Sequence, residues 1–315
     1  VGVVGVGALG QHHARVYASL PEARLTGVFD VDRSRAEAAA ERHGCRAFEH
    51  LRAMMDQVDA VSVAVPTVDH HRVARVFLDA GKAVLVEKPM TVSLPEADDL
   101  IAVAAARGVA LQVGHIERFN PAVAVLREVA REPRFIEVHR LGAFSMRSLD
   151  VDVVLDLMIH DLDIVLSLDG SPCVQLDAVG VAVLTPRVDI ANARLRFESG
   201  LIANLTASRV SAEKVRKFRV FSPRSYVSVD FSARAAQVYR LVQGSAGPDI
   251  KVERTAAPDE EPLRRQLAAF VRSVREGEAP VVSGADGRRA LELALTIVDR
   301  IGEQAAVRPS VPSPP

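Results

Sequence analysis

Residues 1–4 are apolar and lead straight into Gly5-Val6-Gly7-Ala8-Leu9-Gly10, and a helical pattern follows over 11–19. A strand, a G-x-G-x-x-G turn and a helix in that order restrict the opening of the chain to a dinucleotide-binding βαβ unit. Each glycine answers a separate demand: Gly5 a tight turn, Gly7 close approach of the backbone to a pyrophosphate, Gly10 close packing of helix on strand. The helix N-terminus carries partial positive charge, so the turn as a whole, with Ala8 and Leu9, is expected to cradle phosphate. A second strand, 25–29, ends in Asp30, twenty residues past Gly10, where a carboxylate meets the ribose hydroxyls of an adenosine. A carboxylate there accepts from a free 2'-hydroxyl and repels a 2'-phosphate, which favours NAD over NADP; Arg33 and Arg35, close behind, soften that preference.

The pattern continues to about Phe119. Strands are expected at 1–4, 25–29, 60–65, 83–86 and 109–113, with a short one near 46–48, and helices at 11–19, 34–42, 70–80 and 94–106. The runs 60–65 and 83–86 are nearly all apolar, as strands covered on both faces are, and Gly44, Gly81 and Gly108 fall where helices stop. Alternating βα units predict a parallel, doubly wound sheet. Beyond Phe119 the rhythm changes. A strand at 135–141 and an apolar-rich helix at 151–168 are followed by strand after strand from 174 to 242, with a hairpin of 191–197 and 201–207 around Glu198-Ser199-Gly200. Residues 244–249 read as a loop, and helices at 260–275 and 285–303 close the chain. The fold class expected is therefore α/β: an N-terminal Rossmann doubly wound parallel sheet plus a C-terminal α+β domain with a large, mostly antiparallel sheet. The expected division is 1–119 for NAD(P) binding, 120–306 for substrate binding, and 307–315 as a Pro-rich tail without fixed structure.

Hydrophobic residues make up 49% of the 315, enough for sizeable cores, and a formal net charge of -1 supplies no field to draw the chain to nucleic acid or an anionic membrane. The basic run Lys214, Arg216, Lys217 and Arg219 has two readings, a solvated face or contact with an anionic substrate or a neighbouring subunit; with 4% aromatics, nucleic acid is not its expected partner. Cys45 and Cys173 lie far apart without metal spacing and fit small core residues in a reducing compartment. No apolar run approaches the roughly 18 residues of a membrane span, and no signal peptide is read, so the expected location is cytoplasmic. Val1 already stands inside a strand, and a short stretch is expected ahead of it.

In open parallel sheets, ligands gather beyond the carboxyl ends of the strands. Those ends carry Pro66-Thr67, Glu87-Lys88-Pro89 and Gly114-His115, the last followed by Glu117-Arg118-Phe119-Asn120. Pro89 keeps Lys88 extended. An ammonium fixed beside a nicotinamide can bind a substrate hydroxyl, steady a developing alkoxide or relay a proton; the alternative is a surface lysine paired with Glu87. His115 is a candidate for touching substrate or nicotinamide. In the 151–168 helix, Asp152, Asp156, His160, Asp163 and Ser167 recur at spacings of four, four, three and four. At 3.6 residues per turn they share a stripe about 80° wide, with Asp161 opposite. A helix apolar around most of its girth is mostly buried, so the stripe lines a polar cavity or faces solvent. Asp156 and His160, at i and i+4, are spaced to hydrogen-bond, the carboxylate setting the imidazole tautomer. Lys88 and His160 are expected to meet in one pocket over the nicotinamide ring. His12 and His13 begin the first helix, where one could reach the pyrophosphate, though packing or exposure is the favoured reading; His70 and His71 open another and lack partners at metal spacing. No metal signature and no G-x-S-x-G is found.

The glycine turn 5–10, Asp30, Glu87-Lys88-Pro89 and Asp156-x-x-x-His160 together resemble the Gfo/Idh/MocA oxidoreductase family, over nearly the whole chain. The resemblance implies a nicotinamide-dependent sugar or polyol dehydrogenase, assembled as a homodimer or homotetramer through the large sheet. It implies a catalytic lysine and histidine at Lys88 and His160, with Asp156 beside them. Cofactor contacts are then expected from Gly5, Gly7, Ala8, Leu9, Gly10, Asp30, Pro66, Thr67, Glu87 and Lys88, and substrate contacts from His115, Arg118, Asn120, Asp156 and His160. Residues 112–121 and 156–163 also resemble the branch of UDP-N-acetylglucosamine 3-dehydrogenases, which implies oxidation at C3 of a nucleotide-linked amino sugar. The expected chemistry has His160 taking the hydroxyl proton, Lys88 binding the same oxygen and Asp156 orienting His160, with the choice of base between His160 and Lys88 left open. Two other readings stand: an inositol or other free-sugar dehydrogenase of the same family, and a non-catalytic nicotinamide-sensing regulatory protein.

Overall fold

The computed structural model describes residues 1–144, 151–233, 235–244, 247–256 and 260–307. The opening elements are β1 (Gly2–Val4), α1 (Gly10–Ser19), β2 (Gly27–Phe29), α2 (Arg33–His43), β3 (Arg46–Ala47), α3 (Leu51–Met55), β4 (Ala60–Val63), α4 (Thr67–Asp79), β5 (Ala83–Glu87), α5 (Leu94–Arg107) and β6 (Leu111–Gly114), then a 3-10 turn over Ile116–Phe119. The six strands pair in parallel in the order β3-β2-β1-β4-β5-β6. The order reverses between β1 and β4, the point at which a doubly wound sheet opens a crevice for a ligand. Every residue of β4 and β5 is buried, which is why those segments read as unbroken apolar runs. The one buried hydroxyl of β4, on Ser62, is matched by the Tyr17 hydroxyl at 2.9 Å.

The chain continues with α6 (Pro121–Val129), β7 (Phe135–Leu141), a π-helical turn over Val154–Met158 running into α7 (Ile159–Leu168), and the strands β8 (Cys173–Val181), β9 (Ile190–Phe197), β10 (Ile202–Ser208), β11 (Val215–Ser222), β12 (Ser225–Asp230), β13 (Ala235–Gly244) and β14 (Gly247–Ala256); α8 (Pro262–Glu276) and α9 (Gly284–Val307) follow. Their sheet has the order β14-β13-β12-β11-β7-β10-β9-β8. All its pairs are antiparallel except β7 with β10. Along β9, Ala191, Ala193, Leu195 and Phe197 are buried and the residues between them are not, the alternation of a sheet with one covered face.

Three expectations change. Helices α3 and α6 were not foreseen. The loop expected at 244–249 is instead the junction of two ten-residue strands, β13 ending at Gly244 and β14 starting at Gly247. Of the tail expected at 307–315, Val307 still belongs to α9, and 308–315 lie outside the described residues. The compact units also divide the chain differently from a single cut. Val1–Phe119 and Glu260–Leu291 form one; the described residues of Asn120–Asp259 and Glu292–Pro315 form the other. The expected domain 120–306 thus yields α8 to the first unit, because α8 carries an apolar stripe of Leu263, Leu267, Phe270 and Val271 that is buried in one core with Val16, Tyr17, Val28 and Leu85. Full burial of a side chain such as Leu267 or Phe270 stabilises by about 1.5–3 kcal/mol. Backbone pairing adds to it, with the Val113 N–H donating to the Val282 carbonyl at 3.0 Å.

Candidate active site

At two glycines of the opening turn the chain's own backbone excludes a side chain. Gly5 has φ +83°, and a Cβ there would stand 2.8 Å from the Ala64 carbonyl oxygen; a Cβ on Gly10 would stand 1.7 Å from the Gly5 oxygen. Gly7 differs. A Cβ there meets nothing nearer than Arg35 Nη1 at 3.7 Å, so the space over it is left open to a ligand. The turn forms one wall of a cleft of about 450 Å³ lined by Gly5, Gly7, Ala8, Leu9, Asp30 and Pro66, among others; Thr67 follows as the first residue of α4. Asp30 Oδ2 accepts the Val6 N–H at 2.8 Å and Oδ1 the Asp32 N–H at 2.9 Å, and a carboxylate retains lone pairs for two further donors. Arg33 is held away by Glu37 and Glu49, each at 2.7 Å. Arg35 lies 3.6 Å from Asp30 Oδ1 and 3.3 Å from Asp32 Oδ2, so two carboxylates answer its charge. An open phosphate turn and an acceptor at the ribose end fit NAD, and these are the residues that would hold it.

Lys88 follows β5, half-buried, joined to Pro89 by a cis peptide bond. Its N–H donates to Glu87 Oε2 at 3.3 Å. Glu87 itself is buried and turned to His13, whose Nε2 lies 3.1 Å from Oε1. Burial pushes the Glu87 carboxyl up, but the His13 hydrogen bond and the neighbouring His13, Lys88 and His70 charges outweigh it and leave it below the usual carboxylate range. Gly114 of β6 makes room for this carboxylate, since a Cβ there would stand 2.7 Å from Oε1. Of the readings of His13, the packed one holds. His115 is 1% exposed. The Arg118 side chain is 5% exposed and 3.6 Å from Asp286 Oδ1 in the first turn of α9.

Lys88 belongs to the first unit; Asp156 and His160 belong to the second. The helix that carries them is not uniform. The Ile159 N–H donates to the Val154 carbonyl five residues back, a π turn that shifts the angular spacing of everything before it. The five-membered stripe is corrected accordingly. Asp152 precedes the turn and accepts the Val188 N–H at 3.0 Å, Asp163 is buried, and Asp156 and His160 remain half-buried. Asp161, expected on the opposite side, meets Arg140 of β7 through two bonds of 2.7 Å, with the side chains 2% and 4% exposed. A second buried pair braces the start of the same segment. Arg209 Nε donates to Asp189 Oδ1 and its Nη1 to the Val151 carbonyl, both at 2.8 Å. Burial pushes the Asp189 carboxyl up, but the Arg209 bond and the N–H groups of Leu184 and Thr185 hold it well below the usual range. Asn120 caps α6, its Oδ1 accepting the Ala122 N–H at 3.1 Å.

Sequence reading missed both ion pairs. Arg140 left a signal, because alternation through β7 places it on the buried face with Ile136 and Val138. Arg209 left none, its partners being twenty and fifty-eight residues away. Among the described residues no helix is long and apolar enough to cross a membrane.

Residues 1–115 match the model of an oxidoreductase family with an NAD-binding Rossmann fold, and residues 132–225 match the Gfo/Idh/MocA C-terminal domain. The chain is 40% identical over 299 residues to UDP-N-acetylglucosamine 3-dehydrogenase of Acidithiobacillus ferrooxidans, spanning 94% of this chain and 95% of that one. A solved structure of that name from the same organism superimposes with a TM-score of 0.90 at 40% identity, over 96% of this chain and 97% of the other. Myo-inositol 2-dehydrogenase of Thermotoga maritima is 26% identical over 98% of both chains.

Proposed function

The chain belongs to the Gfo/Idh/MocA family of NAD-binding oxidoreductases, and we propose that it oxidises the C3 hydroxyl of a nucleotide-linked amino sugar of the UDP-N-acetylglucosamine kind. The observation that carries this reading is the likeness to an enzyme of that name over nearly the full length of both chains. NAD, when bound, would supply a nicotinamide ring able to accept a hydride, one hydrogen nucleus with its two bonding electrons, from the substrate carbon. His160 takes the hydroxyl proton, a task suited to a neutral imidazole near pH 7. The Lys88 ammonium binds the same oxygen and favours its developing negative charge. Asp156 sets the tautomer of His160. His115, Arg118 and Asn120 shape the sugar site from positions that are largely buried. Self-association as a dimer or tetramer is assigned to the sheet face bearing Phe135, Phe221, Tyr226 and Tyr239, whose rings succeed one another at 5.6, 4.7 and 5.1 Å.

The test is to follow reduced-cofactor absorbance with NAD and UDP-N-acetylglucosamine, free N-acetylglucosamine or myo-inositol. Turnover of the nucleotide sugar well above the other two is expected, and Lys88→Ala and His160→Ala should each lower kcat by about a hundredfold or more. Preference for the inositol would move the substrate to the other relatives, and NAD binding without turnover of any sugar would leave a sensor. Near-wild-type kcat in both variants would remove the proposed catalytic pair.

A further inference from the structure

His70, on α4, is 1% exposed. Its Nδ1 lies 2.8 Å from the Pro89 carbonyl oxygen and its Nε2 lies 3.0 Å from the Val65 carbonyl oxygen. Val65 lines the cofactor cleft just past β4, and Pro89 directly follows Lys88. One ring therefore spans the carboxyl ends of β4 and β5, which are neighbours in the sheet. Both of its partners are acceptors. A neutral imidazole has a single N–H and can serve one of them, leaving a nitrogen lone pair facing an oxygen at the other; the imidazolium serves both.

We propose that His70 is a positioning residue for Lys88: its ring ties the backbone on the carboxyl side of the lysine to the end of β4, through one hydrogen bond when neutral and two when protonated. Several groups set the balance between these forms. Burial holds His70 below the usual imidazole range; the Pro89 and Val65 carbonyls and the Glu87 carboxylate favour the proton, and the Lys88 ammonium opposes it. The one-bond form is therefore the neutral-pH form, and the second bond closes only in acid, below the usual imidazole range. This device tightens in acid, whereas a catalytic imidazole loses its function there.

The inference rests on the role given to Lys88, so its test has one arm that needs no substrate. Nitrogen-15 spectra of the histidine rings in the cofactor-free protein, assigned by comparison with His70→Gln, should show one protonated nitrogen on His70 at neutral pH and a second appearing on acidification. In the same arm, reductive methylation of Lys88, followed by mass spectrometry, should change rate in His70→Ala. In the kinetic arm, His70→Ala should lower kcat about tenfold or more, the scale of a misplaced catalytic group, while KM for NAD moves by less than about threefold. His70→Gln, whose amide can still donate to Pro89, should recover most of kcat. Unchanged Lys88 reactivity in a folded His70→Ala protein, or a fall in kcat that only tracks the folded fraction or NAD affinity, overturns the proposal. Absence of turnover in the wild type would refute the substrate reading and leave the spectroscopic and labelling arm to decide this one.

Discussion

The two sets of candidate residues, one in each compact unit, are held in place by different means. The first, the glycine turn with the ends of β4 and β5, is built from contacts within the turn and between adjacent strands. Gly5 meets Ala64, Gly10 meets Gly5, and Asp30 holds the Val6 N–H. The second, the segment of Asp156 and His160, depends on two buried ion pairs reaching to β7 and to the ends of β9 and β10: Arg140 with Asp161, and Arg209 with Asp189. A site made of strand ends needs only the sheet in register. A site on a helix also draws on groups far along the chain, here two buried arginine–aspartate pairs.

The sharpest way to break this contrast is to remove a brace. Arg140→Met leaves Asp161 buried without its cation and should cost about 3–5 kcal/mol in denaturant unfolding, whereas joint replacement by Arg140→Met and Asp161→Leu should regain most of it. A single-variant loss under about 1 kcal/mol would mean the braces do not hold the helix. A smaller effect is expected at the other set. Asp30→Ala frees the Val6 N–H, a loss shared by both cofactors, and should in addition weaken NAD about tenfold more than NADP, the scale of a hydrogen bond to a charged group. Equal losses would take the ribose role away from Asp30. The smallest effect belongs to Asn120. As a helix cap, its replacement by Ala should cost about 1 kcal/mol of stability, with Asn120→Ser preserving it. A change in the KM for sugar in Asn120→Ser, with stability kept, would add a substrate contact to the cap.

What could be read from the residues follows from the same contrast. The turn 5–10, Asp30 and the Glu87-Lys88-Pro89 strand end announce themselves through residue types at fixed places along successive βα units. The parallel sheet was legible in the buried runs of β4 and β5. The mostly antiparallel sheet was legible in its alternation, except β14, whose exposed Ile250 and Val252 and charged neighbours give an edge strand little pattern. The even stripe on the 151–168 helix was misread because a π turn leaves no mark in spacing counted at 3.6 residues.

The residues alone determined the two sheet types, the cofactor turn and the chemical types assigned to the site, since local geometry and hydrophobic period act over a few neighbours. Chain folding decided that α8 joins the first core, that Asp161 and Asp163 go inside while Asp156 and His160 stay half-buried, and that His70 spans two strand ends. Those outcomes depend on which distant group answers a buried charge or fills an apolar face, and such partners stand too far apart along the chain for any local pattern to name them.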